Sequence, residues 1–258
     1  MAGDNCLQLD VGNSGAKWRL LNADGGVIDR GRYSPDDVAS REALLNCSES
    51  VARIWVASVA SADNDAELSN LLQQRWGVEP WLPCSEQQTG DLVNSYLEPQ
   101  RLGVDRWLAM LAARERSKKR LCVVDAGSAL TIDLVAADGR HEGGYIIPGA
   151  ALMERALLLD TDRVRFSDDV DYGLSPGRST AEAVRHGIAL AQAGALQLVL
   201  DGVERETGES DALELLFCGG GGEVLQSLVS RGGEYLPDLV FEGLDVMWGQ
   251  SSAEVGKI

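Results

Sequence analysis

A short motif occurs twice in this chain, and the repeat limits what the chain can fold into. Cys6-Leu-Gln-Leu-Asp10-Val-Gly12-Asn13-Ser14 ends one apolar run, and Leu121-Cys-Val-Val-Asp125-Ala-Gly127-Ser128-Ala129 ends another. Each reads as an apolar strand, an aspartate, any residue, a glycine and a small polar residue. The aspartates stand about 115 residues apart in a chain of 258. A separation near half the length is what two lobes built on one repeated plan require. Each copy puts a carboxylate and a tight glycine turn at the end of a buried strand. Backbone N–H groups in such a turn can cradle phosphate oxygens, and the carboxylate can hold a cation. A nucleotide clamped between two such turns is the natural reading.

The flanking pattern extends the repeat. Residues 7–11, 18–21 and 27–33 read as strands, with a turn at 22–26. Residues 121–125, 130–136 and 144–147 repeat the arrangement, with a turn at 137–139. After the first triplet come a strand at 54–58, a helix at 65–76, a short strand at 78–82 and a helix at 107–117. The 65–76 helix is read from the spacing of Leu68, Leu71, Leu72 and Trp76. After the second triplet come a helix at 150–159, a polar loop at 160–177 and a helix at 180–199 capped by Ser179 or Thr180. A strand at 213–217, a helix at 223–230 and a final helix near 243–249 complete the chain. This order matches an α/β fold, the duplicated ribonuclease H-like (actin-like ATPase) fold. The expected lobes are 1–117 and 118–258, with the nucleotide in the cleft between them. Neither G-x-x-x-x-G-K-[ST] nor a G-x-G-x-x-G after the first strand is present, which disfavours P-loop and dinucleotide-binding folds.

The formal net charge of −17 argues against sequence-independent nucleic-acid binding and against anionic membrane surfaces. It leaves nucleotide binding open, which needs only local donors. The 5 cysteines are dispersed, with no C-x-x-C pair, and read as free thiols in a reducing compartment. Cys6 and Cys122 lie within apolar strands as core residues. No signal peptide is expected at the start, and no apolar run is expected to approach membrane-spanning length, so the chain reads as cytoplasmic. His141 and His186 have no metal-ligand spacing, and surface or capping roles are expected for both. The tryptophans are dispersed and suggest no stacking platform for single-stranded nucleic acid.

Five segments carry the candidate chemistry. In Asp10-Val-Gly-Asn-Ser-Gly-Ala-Lys17, Gly12 and Gly15 let backbone approach a phosphate, Asn13 and Ser14 offer donors, and Lys17 adds positive charge across the hairpin. Asp10 would face Mg²⁺ through water, because Mg²⁺ dehydrates reluctantly. The plain alternative is an ordinary hairpin turn. In Gly103-Val-Asp105-Arg106, the arginine fork suits a carboxylate or phosphate, and the aspartate could take a proton from a hydroxyl nucleophile. The alternative there is a helix cap with a surface ion pair. In Asp125-Ala-Gly-Ser128-Ala-Leu-Thr131-Ile-Asp133, Ser128 can donate to a phosphate, and Thr131 and Asp133 share one strand face. Gly143-Gly-Tyr-Ile-Ile-Pro148-Gly149 places glycines where backbone must come close to something. Cys218-Gly-Gly-Gly-Gly222-Glu223 suits a flat adenine or ribose against backbone, or is simply a flexible loop.

In this order the five segments resemble those of type III pantothenate kinases, members of the acetate and sugar kinase/Hsp70/actin superfamily. The resemblance runs from about Leu7 to Gly249. It rests most on Gly103-Val-Asp105-Arg106 preceded by Asn94-Ser-Tyr96, on the Asp125 to Asp133 strand pair and on the Gly143 to Gly149 turn. It implies ATP-dependent phosphorylation of pantothenate to 4'-phosphopantothenate, the first step of coenzyme A biosynthesis. It implies that Asp10, Val11, Gly12, Asn13, Ser14, Gly15, Ala16 and Lys17 form the ATP phosphate loop and that Ser128 is a further ATP contact. Tyr96, Gly103, Val104, Asp105 and Arg106 would form the pantothenate site, with Asp105 the catalytic proton acceptor and Thr180 a further substrate contact. Asp125 would bind a monovalent cation, K⁺ or NH₄⁺. A homodimer is implied, with the pantothenate site near the subunit interface. Ser14 and Ser128 stand where threonine is usual, and both keep the hydroxyl. Cys218 replaces a common threonine before a lengthened glycine run.

Two other readings share these features: a kinase of the same fold for another small hydroxylated substrate, and a non-catalytic regulator of the Bvg accessory factor type. The acidic charge argues against direct DNA contact. Retention of Asp10, Asp105 and Asp125 argues for a working kinase.

Overall fold

The computed structural model describes residues 4–13, 15–207 and 213–255. The chain divides into two compact units. The first is drawn from residues 1–90, Tyr96–Ala112 and Val240–Ile258, and the second from Asp91–Ser95 and Ala113–Leu239.

The first unit opens with β1 (Cys6–Gly12), β2 (Gly15–Leu21) and β3 (Val27–Tyr33), followed by α1 (Val38–Leu45), β4 (Arg53–Ser58), α2 (Ala62–Trp76) and β5 (Gln88–Thr89). Its sheet has the order β3-β2-β1-β4, antiparallel except for the β1 and β4 pair. β1 is central and nearly continuously buried, as an apolar strand covered on both faces should be. β3, with Asp29, Arg30 and Arg32, is mostly exposed and forms a charged edge. The turn before β3 is held by Asn22, whose Oδ1 accepts from the N–H groups of Asp24 and Gly26. α2 starts where Ser61 Oγ accepts from Asn64 N and stops at Gly77, which has φ +72. Leu68 and Leu72 drive its inner face onto Leu7, Leu9 and Val11 of the sheet. α1 is absent from the sequence reading, although Asp37 caps it by accepting from Ala39 N.

The strand expected at 78–82 is reduced to one parallel bridge between Trp55 and Trp81. Pro80 and Pro83 flank that bridge and have no N–H to extend a ladder. The tryptophans, scattered in sequence, are not all scattered in space. Trp55, Trp81 and Trp248 meet with ring centroids 5.0 to 6.1 Å apart.

The second unit takes in β6 (Leu92–Val93) and, after α3 (Val104–Arg116), runs through β7 (Arg120–Ala126), β8 (Ala129–Val135), β9 (His141–Pro148), α4 (Ala150–Asp160), α5 (Thr180–Thr207), β10 (Leu213–Cys218), α6 (Gly222–Leu228) and β11 (Glu234–Tyr235). Its sheet order is β11-β10-β7-β8-β9. Read from the other edge, this is the strand order of the first unit with a fifth strand added. The ribonuclease H-like plan is therefore present twice, and the fold is the duplicated α/β one.

The last helix, α7 (Leu239–Val255), lies almost wholly in the first unit, so compact units and halves of the chain differ at this point. A polar cluster ties it there. Asp245 Oδ1 accepts from Gln8 Nε2 at 2.7 Å and its Oδ2 from Arg19 Nη2 at 2.8 Å, while Arg19 Nε donates to Gln8 at 2.6 Å. Burial pushes the Asp245 carboxyl above its ordinary range, against the pull of Arg19 and Gln8.

α5 corrects one expectation. Residues Thr180–Arg205 are long and apolar enough to cross a membrane by length and composition. Ala193, Leu196 and Leu200 nevertheless pack into the second unit's core with Cys122, Val124, Leu130 and Phe217. Part of its apolar character is thus turned to the core, while Leu190 and Leu198 stay exposed. α5 also runs well past the expected end at 199, because Leu200 and Val203 continue its buried stripe.

Candidate active site

In the first unit, β1 and β2 meet in a tight hairpin with Gly12 paired to Gly15. Val11 and Ala16 are buried beneath it, and Asn13 is exposed at its tip. Ser14 lies outside the described residues. Gly15 has φ +138, and a Cβ there would stand 2.7 Å from the carbonyl oxygen of Tyr33, so only glycine fits. Asp10 is flanked by Lys17 on β2 and Ala57 on β4. Cross-strand partners project from the same face, so the carboxylate and the ammonium leave the sheet together.

The end of β1 leads to a second group. Val59 N donates to Val11 O at 3.0 Å. Val59 in turn packs near Gly103, where a Cβ would come within 3.7 Å of its side chain. The same Cβ would lie 2.6 Å from Asp105 Oδ1, so the missing side chain is what lets the carboxylate fold back over Gly103. Asp105 sits in the first turn of α3, and its Oδ1 accepts from Arg106 N at 2.8 Å. A carboxylate at a helix N-terminus is favoured by the exposed N–H groups there. Val104 is buried and sets the helix start, while Arg106 is buried to 5% exposure. The Arg106 guanidinium donates to Tyr96 Oη at 3.2 Å and lies 6.0 Å from the Tyr96 ring centroid. The unit thus brings Tyr96, Gly103, Asp105 and Arg106 together, beyond the carboxyl ends of the parallel strands β1 and β4, where α/β folds place ligands. The arrangement pairs an acceptor for a hydroxyl proton with a fixed cationic fork.

The second unit builds the equivalent strand end around Asp125, which is flanked by Thr131 on β8 and Cys218 on β10. The backbone closes in on it. A Cβ on Gly219 would stand 2.3 Å from Asp125 Oδ1 and 2.6 Å from the carbonyl oxygen of Ala126, and Gly219 has φ +80. Gly221 N donates to that same Ala126 carbonyl at 2.8 Å. Tyr235 Oη donates to Gly219 O at 3.0 Å. Burial raises the Tyr235 phenol above its ordinary value, with Glu223, Cys218 and Asp125 adding to the effect. The other glycine segment has a comparable reason. A Cβ on Gly149 would fall 2.4 Å from Gly127 O and 2.5 Å from Ser128 O, so this turn seats the Gly127 and Ser128 loop. Ser128 is exposed there. Thr180 is exposed at the start of α5, beside Ser179, whose Oγ accepts from Glu182 N. Among the described residues, no three His, Cys, Asp or Glu side chains gather as a metal cage.

One histidine expectation is overturned. His141 is fully buried, with Nε2 3.0 Å from Asp133 Oδ1 and Nδ1 3.0 Å from Ser95 Oγ. Proximity to the 137–139 turn suggested a surface site, but β8 and the 91–95 segment cover it. The one signal in the sequence was an aspartate, Asp133, set in an apolar strand. His186 does act near the surface, bonding Ser175 O at 2.7 Å.

The family model for type III pantothenate kinases matches residues 6–201. A type III pantothenate kinase of Cellvibrio japonicus is 36% identical over 243 residues, covering 93% of this chain and 95% of its own. One from Pseudomonas syringae pv. syringae is 38% identical, covering 92% of this chain and 96% of its own. Among solved structures, a candidate Baf family transcriptional activator from Campylobacter jejuni has a TM-score of 0.57 at 22% identity, covering 96% of this chain and 99% of its own. The ADPNP-bound activator of 2-hydroxyisocaproyl-CoA dehydratase from Clostridium difficile has a TM-score of 0.52 at 9% identity, covering 98% of each chain. At these identities the two structures speak to the fold alone.

Proposed function

We propose how this chain, which belongs to the type III pantothenate kinase family and is accordingly a pantothenate kinase, carries out its reaction. ATP and pantothenate are its substrates, and the ATP-dependent reaction uses a divalent metal. Asp105 accepts the proton of the primary hydroxyl of pantothenate as that oxygen attacks the γ-phosphorus of ATP in line. The P–O bond to ADP breaks, and 4'-phosphopantothenate leaves with the phosphoryl group. Arg106, held by Tyr96, keeps the acceptor in register, with Gly103 and Val104 shaping the approach and Thr180 adding a contact. The observation that carries this reading is the grouping of Tyr96, Gly103, Asp105 and Arg106 at the start of α3.

Backbone donors at Val11, Gly12, Asn13, Ser14, Gly15 and Ala16, with Lys17 and Ser128, receive the phosphates. Because phosphoryl transfer passes through a loose transition state, positioning and charge neutralisation matter more than basicity. Asp10, through water, would hold Mg²⁺, and Asp125 a K⁺ or NH₄⁺ ion. These cations neutralise phosphate charge when bound. The closeness of Gly219 and Gly127 to Asp125 supports its assignment, because glycine leaves the carboxylate approachable. A homodimer and a cytoplasmic setting complete the reading. All 5 cysteines are free, which agrees with a reducing compartment.

The test is ADP release with MgATP and pantothenate, comparing K⁺ or NH₄⁺ with Na⁺ alone. Pantothenate-dependent turnover that needs K⁺ or NH₄⁺ is the expected result. Equal turnover in Na⁺ alone would remove the monovalent-cation role from Asp125. A folded protein without turnover under any cation would remove pantothenate as the acceptor.

A further inference from the structure

α2 carries a carboxylate on its inner face. Asp65, Leu68 and Leu72 stand at i, i+3 and i+7, and the two leucines are buried against the first unit's sheet. A half-buried acid opening an apolar stripe requires a polar partner, and Asp65 has one. Ser58, the last residue of β4, donates its hydroxyl proton to Asp65 Oδ1 at 2.5 Å, the short end for a hydroxyl facing a carboxylate. Ser58 Oγ in turn accepts from Ala60 N at 3.1 Å. A hydroxyl has a single proton, so committing it to Asp65 turns the oxygen's lone pairs towards Ala60. The pair thereby fixes the turn by which the chain leaves the sheet for α2.

Val59 is the middle residue of that turn, and it meets two parts of the first unit's site. Its N–H donates to Val11 O at 3.0 Å, at the end of β1. Its side chain faces Gly103, where a Cβ would stand 3.7 Å from Val59 Cγ1 and 2.6 Å from Asp105 Oδ1. The methyl group and the carboxylate therefore border the same space above Gly103. Both neighbours of Val59 are held by other bonds. β1 pairs with β2 along its whole length, and Ser85 Oγ donates to Leu102 O at 2.8 Å just ahead of Gly103. Val59 is the spacer between them, and its direction depends on the Ser58 turn.

We propose that Ser58 and Asp65 are positioning residues for phosphoryl transfer, holding Val59 so that the Asp105 carboxylate keeps its place relative to the phosphate loop. The inference rests on the reading of Asp105 as the proton acceptor and of residues 10–17 as the phosphate loop. Neither Ser58 nor Asp65 touches the reacting atoms, and both act through Val59. Misplacing a reacting group by about 1 Å costs up to roughly 10²-fold in rate, so the effect falls on kcat rather than on binding.

The experiment uses the full chain and measures kcat and KM for ATP and for pantothenate, well below the melting temperature, together with thermal melts. Ser58→Ala and Asp65→Ala should each lower kcat about tenfold with both KM values within about twofold. The double variant should lose no more than either single one, because the two side chains act as one unit. Asp65→Asn keeps an acceptor oxygen for the hydroxyl and should hold kcat within about threefold of wild type. Ser61→Ala is the stability control, since Ser61 Oγ caps α2 by accepting from Asn64 N at 3.3 Å. Its loss should lower the melting temperature by about 2–4 °C and leave kcat within about twofold. Asp65→Ala carries the same prediction if Ser58→Ala does not fold. An active wild type whose Ser58→Ala or Asp65→Ala variant keeps a normal kcat overturns the positioning role alone. A kcat loss in Ser61→Ala equal to that in Ser58→Ala also overturns it, because loosening of α2 then explains both. Losses that multiply in the double variant overturn it as well. A folded wild type that does not phosphorylate pantothenate overturns the acceptor reading, and the positioning role falls with it.

Discussion

Gly219→Ala should damage the second unit through two separable effects. Gly219 has φ +80, where an alanine costs about 1–2 kcal/mol. The added Cβ would also stand 2.3 Å from Asp125 Oδ1 and 2.6 Å from Ala126 O, so backbone must move. The Ala126 carbonyl accepts from Gly221 N at 2.8 Å, and moving it weakens a bond whose net worth is about 1 kcal/mol. Removing a glycine stiffens the unfolded chain and returns roughly 0.4–1 kcal/mol. The net loss is about 2 kcal/mol or somewhat more. For a protein of this size that is roughly a 4–8 °C fall in melting temperature. Two other glycines supply the controls. Gly232→Ala meets open space at φ +70 and should cost about 1 kcal/mol or less, while Gly220→Ala has neither penalty and should be neutral or slightly stabilising. Melting curves of the three variants check the order, and on the proposed cation-binding role of Asp125 a comparison of activity in K⁺ and in Na⁺ reads its displacement. Equal shifts for Gly219→Ala and Gly232→Ala would show that the crowding around Asp125 has no energetic consequence, and the reasoning would fail.

Asp105→Asn should lower kcat by about 10²-fold or more while ATP binding, read by calorimetry, stays unchanged; full turnover would remove the proton-acceptor role. Burial alone would raise the Asp91 carboxyl, but Arg114 and Lys118 outweigh it and hold the group below its ordinary value of 3.8. The anchor at Asp91 is therefore fully present above that pH and is lost as pH falls through the lower folded value. Hydrogen exchange at Val93 should accelerate over that acid range in the wild type and show less pH dependence in Asp91→Asn; matching profiles would exclude the link. Native thiol titration should show fast reaction at one cysteine, exposed Cys84. Burial pushes Cys6 up to about 12 and Cys47 up to about 11, raises Cys122 as well, and Cys218 is buried. Two or more fast thiols in the folded protein, or one that survives Cys84→Ser, would contradict this.

Much of the fold was legible because its signals are local. The apolar runs ending in Asp10 and Asp125, and the Asn22 and Gly139 turns after the next strands, mark two strand triplets without any tertiary information. The expectation failed where local pattern and packing disagree. Two prolines reduced the 78–82 strand to a bridge, and a short helix at Val38–Leu45 carried too few apolar repeats to stand out. α5 looked like a 20-residue helix, yet it runs on to Thr207, with Leu200 and Val203 continuing its buried stripe.

By itself, the sequence determined the repeated strand plan, the two aspartates at equivalent strand ends, and the side-by-side Asp105 and Arg106 at a helix start. These depend on backbone periods and turn chemistry that act over a few residues. Only the tertiary structure decided that Gly103 lies under the Asp105 carboxylate, that Gly219 closes on Asp125, and that Tyr96 meets Arg106. It alone joined Trp55 to Trp248 and buried His141 between Asp133 and a serine 46 residues away in the chain. Such contacts are set by how sheets and helices close over one another, and hydrogen-bond partners chosen by that closure leave no periodic trace in the order of residues.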